Sequence, residues 1–159
     1  MQFRQCVAAT VLGEVATSAL PEVASKGLEE GYESEALAIL AGATSAEKSL
    51  LEMEELWRRS LEELKIRVPD RAEAGRMLRD FYVDLVAGGG LPARRGAGEI
   101  VRLATELDDV LPSREYAGDG LGVQRLYGLY YSHDEVAWGN EHTHVEIDEE
   151  IRAECLRLR

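Results

Sequence analysis

The feature that most constrains the fold is a run of apolar residues at helical spacing between Ser45 and Ile66. Leu50, Met53, Trp57, Leu61 and Leu64 step by 3, 4, 4 and 3 residues, which sets all five on one stripe of an α-helix. The opposite face carries Glu54 and Glu55 four residues before Arg58 and Arg59, which stand four before Glu62 and Glu63. Such i,i+4 ladders contribute a few tenths of a kcal/mol per pair and belong on a solvated surface. Thr44 and Glu47 have the spacing of a capping box, and Pro69 stops the helix. A helix with one greasy stripe needs other helices or a sheet to cover it.

The remaining sequence supplies helices. Residues 3 to 19 place Val7, Val11, Leu12 and Val15 on one face, and Pro21 suits the first turn of a short helix to about Glu30, weakened by Gly27 and Gly31. Ser34 caps a further helix from Glu35 to Ala41, closed by Gly42. Asp70 and Glu73 start one that runs to about Ala87, with Ala74, Met77, Phe81 and Leu85 inward and Leu78, Tyr82 and Val86 beside them. Residues 90 to 98 read as a glycine-rich loop before a short helix from Glu99 to Leu107, and Pro112 with Gly118-Asp119-Gly120 marks a second irregular region. Leu121 to Ser132 is helical by spacing, and a last helix carries Asp148, Glu149 and Glu150 at its start. The expected fold is all-α: a compact bundle of about six to eight helices, several short, with two glycine-rich loops. It forms a single helical domain over 1–159, with an N-terminal body (1–88) and a C-terminal lobe (99–159).

Charge narrows the function. Among 159 residues, 18 Lys and Arg face 30 Asp and Glu, for a net charge of −12. A polyanion is repelled by that field, so direct nucleic-acid binding and anionic membrane surfaces are disfavoured. No stretch reaches the roughly 18 uncharged apolar residues of a membrane helix. The apolar start is interrupted by Arg4, Gln5 and Glu14 without the layout of an export signal, so a cytoplasmic setting is expected. Cys6 and Cys155 lie near opposite ends; a bridge stays open on sequence alone, while two buried thiols suit a reducing compartment.

One neighbourhood is chemically dense. His133, His142 and His144 fall beside Asp134, Glu135, Glu141 and Glu146. If residues 142 to 147 are extended, His142, His144 and Glu146 share a face and make a zinc set. If they are helical the set dissolves, and Thr143 with Glu146 has capping-box spacing that supports the helix. Gly96-Ala97-Gly98, near Arg94 and Arg95, lacks the strand, the third glycine and the Lys of phosphate-binding loops. Ser132-His133-Asp134 adjoin in sequence, which supplies no triad geometry, and the pairs Glu54-Glu55 and Asp108-Asp109 carry no sign of separated pKa values. Tyr116, Tyr127, Tyr130, Tyr131 and Trp138 crowd the approach to the acidic run. Tyr and Trp among carboxylates are the composition of a hot spot for a basic partner, and equally of a core with hydroxyls at its rim.

Three stretches carry a resemblance. Leu20-Pro21-Glu22-Val23-Ala24 through Gly31 and Ser34 to Gly42, Leu61 to Ile66 with Pro69-Asp70-Arg71, and Asp148 to Ala153 resemble a group of small all-α proteins from high-GC bacteria. The resemblance implies a helical fold and no particular chemistry, because no activity is established for the group.

The sequence thus favours a non-catalytic protein-binding module of immunity, antitoxin or adaptor type, with Tyr127, Tyr130, Tyr131, Asp134, Glu135, Trp138 and Glu141 facing a basic protein. The alternatives are a metal-binding sensor or enzyme at His142, His144 and Glu146, with zinc as the one cofactor considered, and a homo-oligomeric structural protein.

Overall fold

The computed structural model describes residues 1–44, 48–135 and 143–159. Among them are eight α-helices and no strand: α1 (Phe3–Val11), α2 (Leu20–Glu29), α3 (Glu35–Ala41), α4 (Leu50–Glu63), α5 (Arg71–Ala87), α6 (Ala93–Glu106), α7 (Gln124–Glu135) and α8 (His144–Leu158). The all-α class expected from the spacing is the class observed. None of these helices is long and apolar enough to cross a membrane. The chain divides into two units, Met1–Ala74 and Gly75–Arg159.

In the first unit α2, α3 and α4 pack on one another and α1 on α2. Phe3, Val7, Leu20, Ala24, Leu37, Leu40, Met53, Trp57 and Leu61 form its core. Phe3 is the pivot, with its ring centroid 4.7 Å from that of Tyr32 and 5.7 Å from that of Trp57. Gly27 is part of the same packing: a Cβ there would stand 2.8 Å from the Phe3 ring, so its bare backbone admits the aromatic. The first helix is shorter than the sequence suggests. It stops at Val11, and Gly13 takes a φ of 73°, a left-handed turn that Val15 cannot follow as helix.

Two corrections apply to α4. Its cap is Ser49, whose Oγ accepts from the Glu52 N–H at 3.3 Å while the Glu52 carboxylate accepts from the Ser49 N–H at 2.8 Å. The helix therefore starts at Leu50 rather than Ser45, and Glu47 of the expected cap lies outside the described residues. It also ends before Ile66, because Lys65 turns left-handed at φ 53° and the Ile66 N–H bonds back to the Leu61 carbonyl at 2.9 Å. Met53, Trp57 and Leu61 are the buried stripe, while Leu50 is exposed. Glu63 joins α4 to α3: it accepts from Ser34 Oγ at 2.7 Å and from the Ala36 N–H at 3.1 Å, which holds its carboxyl below the usual range.

In the second unit α6 packs on α7 and α8, and α7 on α8. Leu78, Val86, Ile100, Leu103, Leu107, Leu126, Ile147, Ile151 and Cys155 are buried there. On α5 the buried apolar residues of this unit are Leu78, Val83 and Val86; Met77, Phe81 and Leu85, expected inward, are only half-buried. The expected loop from 90 to 98 is mostly helix, since α6 begins at Ala93. Gly96 and Gly98 lie inside it as packing residues. A Cβ on Gly96 would come within 2.0 Å of Val86 Cγ2, and one on Gly98 within 3.1 Å of the Tyr130 ring. Only Gly88 to Pro92 remain as the connection.

Candidate functional site

Three tyrosines on α7 make the aromatic feature of the second unit. Rings of Tyr127 and Tyr131 are 5.2 Å apart and those of Tyr130 and Tyr131 are 5.3 Å apart, so the three form one contiguous ridge. Tyr131 is its crest, 48% exposed, whereas Tyr127 and Tyr130 are half-buried. Helical spacing explains the arrangement: residues four apart stack along one face, and the adjacent Tyr130 leans towards α6, where Gly98 has no side chain to block it.

Two grooves border the ridge. One, along the N-terminal part of α6, is lined by Arg94, Arg95, Arg102, Glu99 and Tyr130, with Arg102 bonded to Glu99 at 3.1 Å and to Glu106 at 2.8 Å. The other is an open cleft of about 420 Å³ between the C-terminal end of α6 and the 113–118 loop, with Tyr127 on its wall. Two carboxylates, Asp119 and Asp108, organise that loop. Asp119 Oδ1 accepts from the Arg114 N–H at 2.8 Å, and Oδ2 accepts from Glu115 at 2.9 Å and Tyr116 at 3.4 Å. These amides hold the Asp119 carboxyl below its ordinary pKa. Asp108 Oδ1 receives the Ser113 N–H at 2.9 Å, and Ser113 Oγ receives the Gly118 N–H at 3.1 Å. Gly118 itself sits at φ 83°. Gly118-Asp119-Gly120, a turn by sequence, is therefore the hub of a built loop.

The remaining sequence candidates separate. Asp134 and Glu135 are the last residues of α7. Trp138, Glu141 and His142 lie outside the described residues. His144 and Glu146 are in the first turn of α8, where the Glu146 carboxylate accepts from the Thr143 N–H at 2.6 Å and the Thr143 Oγ1 accepts from the Glu146 N–H at 3.3 Å. The extended backbone that would align His142, His144 and Glu146 is absent at 144–147, because a capped helix is the form adopted. Among the described residues no three His, Cys, Asp or Glu side chains are grouped to hold a metal.

His133 is instead buried, 6% exposed, with its ring stacked on His144 at 4.3 Å and its Nε2 3.4 Å from Asp148 Oδ1. Ser132 Oγ donates to the Gly128 carbonyl at 3.1 Å, so its contact is along its own helix and supplies no triad. Glu54 takes a hydrogen bond from Thr17 Oγ1 at 2.9 Å, and Glu55 pairs with Arg58, so these neighbours serve separate structural contacts. Both thiols are free and buried; burial raises Cys6 and pushes Cys155 up to about 11, the opposite of an activated nucleophile.

Comparison with protein-family models, with curated proteins and with solved structures finds no match to this chain.

Proposed function

We propose that this chain is a non-catalytic protein-binding module, of immunity, antitoxin or adaptor type, and that the tyrosine ridge of α7 is the centre of its docking face. The observation that carries this reading is the contiguity of Tyr127, Tyr131 and Tyr130 with Tyr131 at the crest. Tyrosine supplies large, stiff contact area at low entropic cost, and interface hot spots are rich in it. The partner is a basic protein, since a net charge of −12 speeds the encounter with cations and repels polyanions. Two free buried thiols suit a cytoplasmic setting.

The test uses the full-length chain immobilised in lysate of its source organism, with Tyr131→Ala alongside. One basic protein should be retained at low salt, released as salt rises, and retained at least about tenfold less by the variant. Equal retention by both forms, retention indifferent to salt, or self-association as the sole interaction overturns the reading.

A further inference from the structure

We infer that the cleft between the C-terminal end of α6 and the 113–118 loop receives an arginine side chain of the partner protein; this rests on the protein-binding reading above and names its specificity site. At about 420 Å³ the cleft is large enough to take a long side chain. Tyr116 and Tyr127 both line it, Tyr116 being 67% exposed. Gly118 lets the loop close on Tyr127, since even a Cβ at that position would stand 3.3 Å from the ring. Asp108 and Glu115 bring two carboxylates to the same walls against the single guanidinium of Arg114.

Aromatic faces beside carboxylates select a cation. They select arginine over lysine, because the planar guanidinium stacks on tyrosine while its fork of N–H donors reaches a carboxylate, whereas an ammonium gives up a tighter hydration shell. A site for an anion would reverse this balance of charges. Of Asp108 only Oδ1 is committed to the loop, through the Ser113 N–H.

The experiment is a ¹⁵N NMR titration of the full-length protein with N-acetyl-arginine amide, with the lysine and citrulline amides as comparisons. Citrulline keeps the shape of arginine and lacks its charge. Saturable shifts confined to amides near 105–118 and 127 are expected with arginine, at dissociation constants on the order of millimolar for so small a probe. Lysine should bind at least about threefold more weakly and citrulline not at all. Asp108→Asn combined with Glu115→Gln retains the Oδ1 acceptor for Ser113 and should weaken arginine binding about tenfold. The inference is overturned by the absence of saturable shifts with arginine, by citrulline binding equally, or by lysine binding as tightly as arginine. All three amides are compared on the unmodified protein, so these outcomes do not depend on the variant folding. Should arginine fail while Tyr131→Ala still abolishes partner retention, the cleft assignment falls and the module stands; arginine binding without any effect of Tyr131 gives the reverse.

Discussion

A carboxylate with 1% of its side chain exposed persists in a folded protein only where cations repay its lost hydration. Glu154 meets that condition on α8. Arg157 donates to it through Nε at 2.9 Å and through Nη2 at 2.5 Å, and Arg125 of α7 stands 3.7 Å away. The Arg157 bonds hold its carboxyl below the usual range. In acid the unfolded chain therefore takes up the proton at this position before the folded one does. The resulting stabilisation is complete above the ordinary carboxylate value of about 4.3 and is lost as pH falls through the lower folded value. Arg157→Ala should lower the midpoint of urea unfolding at neutral pH, and lower it less once the pH has fallen through the depressed folded value, where the carboxyl is protonated and no longer needs its cation. An equal drop at both pH values would place the role of Arg157 in packing of its stem.

At the scale of elements, glycine is the residue whose meaning the sequence hides most. Gly96 and Gly98 resemble a loop in sequence because glycine is a poor helix former, yet both lie within α6 and mark close approaches. Helix propensity is a term of about 1 kcal/mol, while the overlap of a Cβ with Val86 is a larger one. Gly96→Ala should therefore destabilise by about 1–3 kcal/mol. Gly128 on α7 has nothing within 4 Å of its missing Cβ, so Gly128→Ala should stabilise by about 0.5–1 kcal/mol. Thermal melts of the two variants check the pair, and a shift of the same sign in both would overturn the packing role. Local chemistry, by contrast, is legible in the sequence. Ser34 caps α3 as its spacing predicts, and α5 runs from Arg71 to Ala87 behind Asp70. The start of α4 is ambiguous in sequence because two cap-like pairs, Thr44 with Glu47 and Ser49 with Glu52, lie five residues apart, and α4 begins behind the second. The tyrosines of the ridge are visible as composition. The cleft beside them is not, since it depends on Asp108, Ser113 and Asp119 meeting across a loop with no periodic signal.

For the whole molecule the acidity divides into used and unused carboxylates. The sequence places seven acids and no Lys or Arg between 133 and 150. Glu146 caps α8, Asp148 faces His133, and Glu150 stands 3.5 Å from Arg125, so part of that collar serves the helix ends and the α7–α8 contact. Most ion pairs elsewhere are exposed, such as Arg58 with Glu62 and Arg67 with Glu73, and water and salt screen them to a small contribution each. Self-repulsion across a net charge of −12 opposes folding at low salt. Raising sodium chloride from about 0.02 to about 0.3 M should therefore raise the melting temperature, by screening repulsion more than it loosens the pairs. A falling Tm would assign the net stabilisation to the surface ladders. The same added salt weakens capture of a basic partner, so stability and binding should respond with opposite sign.

The grip of Asp119 has a consequence for how such a surface can change. It holds the amides of residues 114, 115 and 116, not their side chains. Any residue except proline offers the same N–H, so the shape of the loop is encoded separately from the chemistry it displays. Arg114, Glu115 and Tyr116 can be rewritten one at a time while the scaffold beneath them persists, which makes this loop the place where a new partner could be acquired without building a new fold.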